Sequence, residues 1–130
     1  MIFFKDLNDN FQYKDESNNC VVVALTEVTS DDFDYETIKF FVRHVMNRTK
    51  NNSVIYGEIL KSKNFFTNIG LKYKKIKIKE NEIIRDFVKK NNKGKFLLIT
   101  ENHMLALKEG CIHDFLFDID KKLICAIKVD

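Results

Sequence analysis

The stretch GKFLLITENHMLALKEGCIHDFLFD at residues 94–118 constrains the fold more than any other. It reads as a strand, a tight corner carrying His103, a second strand, a Gly turn and a third strand carrying Asp114. With Glu109-Gly110 as a two-residue loop, Lys108 pairs with Cys111, Leu105 lies opposite Asp114 and His103 opposite Leu116. Cross-strand partners share a face, so His103, Leu105, Ile112, Asp114 and Leu116 point to one side. His103 and Asp114 are then diagonal neighbours about 7–8 Å apart at the backbone, within side-chain reach. A four-residue loop preserves this parity, whereas a three-residue loop with Gly110 as a bulge puts the two on opposite faces. An aspartate on the side of Leu105 and Ile112 needs a polar partner, and His103 is the available one.

A fourth alternating segment, residues 123–129, closes the sheet behind residues 95–100, 103–108 and 111–118. Ahead of these lie helical patterns. CVVVALTEV at residues 20–28 is apolar nearly all round, which predicts a buried central helix capped by Asn18-Asn19, although its valines also permit a strand. Residues 29–32 close that segment and offer a second cap. From Phe33 to Arg48 the apolar positions Ile38, Phe41, Val42, Val45 and Met46 keep helical spacing. Residues 50–53 read as a loop, 54–61 as a short helix and 64–70 as a connector. LKYKKIKIK at residues 71–79 alternates but slips phase between Tyr73 and Ile76, predicting a bulged strand or one that begins after Lys75. Asn81 caps a helix running to about Asn91, with Ile83, Ile84, Phe87 and Val88 inward. Residues 1–17 read as an irregular lead-in with a short strand at 2–4. Helices first and an antiparallel sheet of about four strands last describe a single α+β domain over residues 1–130.

Composition narrows the function classes. No apolar run approaches 18 residues and the N-terminus MIFFKDLNDNFQ lacks a long apolar core, so neither a membrane span nor a signal peptide is expected. Three cysteines without a C-x-x-C pair argue against a disulfide framework and for a reducing cytoplasm. Asn, Lys, Phe and Ile are abundant and Pro and Trp absent, the usage of an A/T-rich genome such as that of a phage or a low-G+C bacterium. Residues 1–36 hold nine acids against two bases, leaving twenty bases against ten acids beyond them. The lysines of residues 72–79 could track phosphates beside Tyr73, but no nucleic-acid motif accompanies them and an edge strand protected by lysines accounts for them. Cys111 and His113 share a strand face without a further Cys/His pair, so no metal is expected, and no Gly-rich cofactor loop is present. His113 faces away from His103 and Asp114; His44 lies outside the apolar stripe of its helix.

Cys20 opens the first helix, where the macrodipole and a nearby imidazolium favour the thiolate. A buried cysteine filling the core is the plain alternative. The whole order resembles the papain-like cysteine peptidase superfamily, and in particular small phage and bacterial papain-like proteins. The resemblance rests on Asn18-Asn19-Cys20 followed by Ala24-Leu25, on Lys93-Gly94-Lys95-Phe96-Leu97-Leu98, on His103, Ala106-Leu107-Lys108-Glu109-Gly110, and on Asp114. It implies a papain-like fold and a Cys-His-Asp triad of Cys20 as nucleophile, His103 as general base and Asp114 as orienting acid. The substrate would be a protein or peptide-like amide or thioester, with no cofactor. The chain departs from the pattern in two places: Asn102 stands where a glycine usually precedes the histidine, and Lys14 where a glutamine supplies the oxyanion donor. Gln12, Asn18 and Asn19 are the substitute candidates. The alternative is an inactive papain-fold phage accessory protein that binds a host protein in the host cytoplasm.

Overall fold

The computed structural model describes residues 2–46, 66–67 and 70–129, with Val45 and Met46 as backbone only. The expected loop at 50–53 and helix at 54–61, and most of the connector at 64–70, lie outside the described residues. The chain is α+β, with helices α1 (Cys20–Thr29), α2 (Tyr35–Met46) and α3 (Ile84–Lys90). Among the described residues the strands are β1 (Phe3–Asp6), β2 (Tyr73–Ile76), β3 (Lys95–Ile99), β4 (Met104–Lys108), β5 (Cys111–Asp114) and β6 (Cys125–Val129). They form one sheet in the order β1-β5-β4-β3-β6-β2.

Two expectations about the sheet need correction. It has six strands rather than four, and it is mixed rather than antiparallel, because β1 runs parallel to β5 in the register Phe3↔Cys111 to Asp6↔Asp114. The lead-in is therefore an edge strand followed by two 3-10 turns, Leu7–Asp9 and Phe11–Lys14. Asp6 and Asn10 start these turns by accepting from the backbone N–H of Asn8 and Gln12, at 2.9 and 3.0 Å. A four-residue edge strand with mostly exposed side chains leaves almost no alternation to read. At the other edge β2 pairs with β6 without a break from Tyr73 to Ile76, so the phase slip falls inside a regular ladder and is neither a bulge nor a late start.

The two sheet faces carry separate apolar clusters. One holds α1 and α2 against Leu97, Ile99, Met104, Ala106, Ile127 and Val129. The other holds Ile84, Phe87 and Val88 of α3 against Phe96, Leu98, Leu105, Leu107 and Ile112. Alternate residues of β3 and β4 feed the two faces, as the pleat requires. Helix α1 is buried from Val21 to Thr29 because the sheet covers one side of it and α2 another, which is why its sequence is apolar all round. Asp34, not residues 29–32, caps α2, accepting from Thr37 N–H at 2.8 Å. Helix α3 starts later than its pattern suggested: Asn81 sits in a left-handed conformation (φ 61°) and Ile83 takes the N-cap position. The buried Glu82 explains the delay, since one of its carboxylate oxygens accepts Lys79 N–H at 2.8 Å while the other faces Lys90 at 3.0 Å.

Candidate functional site

The β4–β5 hairpin has the two-residue loop, one of the three lengths its sequence left open. Lys108 pairs with Cys111, Leu107 with Ile112 and Ala106 with His113. Glu109 and Gly110 both take positive φ, 49° and 78°, the primed-turn geometry that matches strand twist. Glycine suits the second of these positions on two counts, since beyond its positive φ a Cβ there would sit 3.2 Å from the Asn92 carbonyl oxygen, which would have to give way. The turn sets the parity of everything beyond it, and through that parity places His103 and Asp114 together.

His103 Nε2 lies 2.8 and 2.9 Å from the two oxygens of Asp114. The corner before β4 is closed by Thr100 N–H donating to His103 C=O at 2.9 Å, which holds the residue at the end of the sheet. Asp114 is buried at 8 % side-chain exposure and also accepts the Phe115 N–H at 2.8 Å, so its carboxylate cannot swing away. His103 keeps 37 % side-chain exposure and so meets both solvent and the carboxylate.

Helix α1 begins on the opposite face, and its first residue abuts the end of β4. The Cys20 thiol lies close enough to the His103 ring and the Met104 backbone for both to act on its titration. Because Nε2 faces Asp114, the remaining ring nitrogen, Nδ1, is the one that serves the thiol. Burial pushes the Cys20 thiol up, but the His103 hydrogen bond, the Met104 backbone and the imidazolium charge outweigh it and hold the thiol below its ordinary value. Burial likewise lowers His103, yet the bonds to Asp114 and Cys20 raise it from 6.5 to about 10. The two groups move in opposite directions, the sense in which each favours the charged form of the other. Burial instead raises Cys111 and Cys125, with nearby lysines only partly offsetting it.

Of the oxyanion candidates, Asn19 is committed elsewhere. Its side-chain amide donates to the Tyr13 carbonyl at 2.9 Å and to the Tyr35 hydroxyl at 3.1 Å, both in buried surroundings, and it makes no side-chain cap on α1. It is a brace between the second 3-10 turn, α1 and α2. Asp15 completes that brace by accepting from the Tyr35 hydroxyl at 2.6 Å and pairing with Lys39 at 2.5 Å. Gln12 and Asn18 are exposed, and Asn18 adopts φ 53° two residues before the cysteine.

Sequence reasoning missed two features. Met104 N–H serves the thiol through the backbone, where no side-chain motif can signal it. Glu27, buried within α1, meets His113 Nδ1 at 2.7 Å and accepts from the Tyr13 hydroxyl, with Lys5 at 4.0 Å. An acid in an otherwise apolar helix was the available sign, since such a group must find partners. This assembly occupies the α1 face, and it accounts for His113 facing away from His103. Burial raises the Glu27 carboxyl, but His113 and Tyr13 together bring it below its usual range.

A cavity of about 700 Å³ opens beside the pair on the α3 face, lined by His103, Asp114, Leu105 and Ile84 among others. Among the described residues, no three His, Cys, Asp or Glu side chains converge as metal ligands would, and no helix is long and apolar enough to cross a membrane. No protein-family model, curated protein or solved structure matches the chain.

Proposed function

We propose that this protein is a cysteine-type peptidase or amide/thioester hydrolase of papain-like fold, acting on a protein or peptide-like substrate. One observation carries the reading: a single imidazole, held by a buried carboxylate at 2.8 Å on Nε2, also acts on the thiol that opens α1. A core cysteine needs neither partner, and a strand-tethering His–Asp pair needs no thiol.

The roles follow from the geometry. Cys20 as thiolate attacks the substrate carbonyl carbon, and the electron pair moves onto oxygen. The Cys20 N–H, which has no partner within its own helix turn, faces that developing charge, with Gln12 or Asn18 as the side-chain donor. As the tetrahedral centre collapses, the His103 imidazolium gives its proton to the leaving nitrogen and the C–N bond breaks. Water, deprotonated by the now neutral His103, then attacks the thioester and restores the pair. Asp114 holds the ring so that Nδ1 faces the reacting atoms, and stabilises the imidazolium.

The test is acylation by p-nitrophenyl acetate. A stoichiometric burst of nitrophenol, with the acetyl group recovered on Cys20 by mass spectrometry and absent in Cys20→Ser, is the expected result. A protein that releases no burst, or that acetylates Cys111 and Cys125 as readily, is not this enzyme.

A further inference from the structure

The sheet sets lysine opposite lysine at two places. Lys95 lies across from Lys108, and the fold answers both: Lys95 Nζ meets Asp31 at 3.1 Å, and Lys108 Nζ donates to the Ser30 hydroxyl at 3.1 Å. Lys74 lies across from Lys128, and among the described residues no carboxylate answers either one. Like charges directly opposite each other destabilise a sheet. Protection of an edge strand accounts for the lysines of β2. It does not account for Lys128, which stands on β6, one strand in from the edge.

The unanswered charge continues around that edge. Lys74 and Lys128 lie on the α3 face, because Ile76 and Ala126, two residues along their strands, pack into its apolar cluster. Tyr73 and Lys75 lie on the α1 face, opposite Val129 and Ile127 of the other cluster. Lys72 and Lys77 are exposed on either side of β2. Among the described residues the ion pairs take up Lys39, Lys90 and Lys95 instead of these lysines. Tyr73 adds a ring to the patch. It stacks on the buried Phe66, with centroids 4.5 Å apart and planes at 25°, yet stays 36 % exposed. The stack holds the ring in one orientation beside the lysines.

We infer that this edge binds single-stranded nucleic acid, with phosphates on Lys74 and Lys128 and a base stacked on Tyr73. A polyanion supplies the charge that the like-charged pair lacks, and releases counterions as it does so. The lysines occupy both faces of the edge strand, so the ligand must bend round it. A single strand can do this, whereas a duplex with a persistence length of about 150 bp resists it. The held ring favours a nucleobase over an acidic peptide, since every base has a face to stack. The surface lies where Tyr73, Val129 and Lys95 adjoin, at the opposite end of the strands from the Ile99–Met104 end that carries His103. The inference therefore stands apart from the hydrolase reading.

The experiment is fluorescence anisotropy of a fluorescein-labelled oligothymidylate of about 15 nucleotides, titrated with the full chain. Binding is expected at about 1–100 µM in about 50 mM salt. With phosphate contacts from Lys72, Lys74, Lys75 and Lys128, log K should fall against log salt with a slope of about −3. Lys74→Gln/Lys128→Gln should weaken binding and flatten that slope by about 1.4. The same variant should unfold in urea no earlier than the wild type, because the like-charged pair is gone. Tyr73→Leu should weaken binding about five-fold or more and leave the slope in place, which separates stacking from charge. Absence of binding in about 50 mM salt overturns the inference. Competition by duplex DNA or polyglutamate as effective as that by unlabelled oligothymidylate overturns it, and so does an unchanged slope in the double glutamine variant. Earlier unfolding of that variant also overturns it, since the lysines would then serve the fold.

Discussion

Replacing His103 with alanine isolates the interaction on which the site depends. In the wild type two opposing effects act on Cys20: burial raises its pKa, and the His103 hydrogen bond, the Met104 backbone and the imidazolium charge lower it by more. His103→Ala removes the ring's contribution and leaves burial opposed mainly by Met104. A charge-assisted hydrogen bond contributes about 1.5–3 kcal/mol. At about 1.36 kcal/mol per unit, the Cys20 titration should therefore move up by about 1–2 units and cross its ordinary value of about 8.5. The alkylation rate changes less than the thiolate fraction, because a more basic thiolate is intrinsically more reactive. With a Brønsted slope of about 0.4–0.5, the iodoacetamide rate at about pH 6 should fall about 3- to 15-fold.

The assay is peptide-resolved mass spectrometry of alkylation from about pH 5 to about pH 10, spanning the thiol range. Cys111 and Cys125, both held above the ordinary value by burial, serve as internal references. The wild-type inflection of Cys20 should lie below both of theirs, and in the variant it should join them. If the Cys20 inflection stays put when His103 is removed, the imidazole does not activate the thiol. An unfolded variant would announce itself by all three cysteines titrating alike at the free-thiol value.

Three further outcomes follow from the same contacts. Asp114→Asn keeps the shape but removes the charge, so the His103 imidazolium should fall from about 10 toward 6.5 in an NMR titration, and Cys20 acetylation at neutral pH should slow about ten-fold or more; an unmoved histidine refutes the assignment. Because the folded pKa of His103 is raised, its stabilisation is fully present below 6.5 and is lost as pH rises through about 10. Above about 8.5 the unfolded chain has released both the Cys20 and His103 protons while the folded chain keeps one. With His103 more than a third exposed and partly screened, urea unfolding should then show about 1 kcal/mol lost between about pH 8.5 and pH 10, relative to a Cys20→Ser/His103→Ala double variant. Glu27→Ala strands His113 and Tyr13 and should cost about 3 kcal/mol of stability while leaving the Cys20 alkylation profile in place; a shifted profile would tie that network to the site.

What the sequence made legible was set by how locally each feature is encoded. The Glu109-Gly110 turn fixes the β4–β5 register by itself, and parity then carries His103 and Asp114 to one side without reference to any distant residue. Helix α1 was equally readable, because burial on all sides leaves an unbroken apolar run. The edge strands were legible as short strands near residues 2–4 and within 71–79, but not in their pairing: β1 forms a parallel ladder with a segment more than a hundred residues away, and β2 pairs with β6. Asn19 shows the same limit within the site. Beside a cysteine at a helix start it looks like a cap or an oxyanion donor, and only the tertiary arrival of Tyr13 and Tyr35 takes up its amide. Most telling is the face on which each group lies. Parity placed His103 and Asp114 with Leu105 on the α3 side, yet Cys20 reaches the ring from the α1 side. The proposed triad therefore requires that His103 and Asp114 both stand at the end of the sheet, where the imidazole can pass around the backbone. A histidine two residues further along β4 would be walled off from the thiol by the sheet itself. For the proposed chemistry, the corner held by Thr100 is thus as much a condition as the hydrogen bond to Asp114.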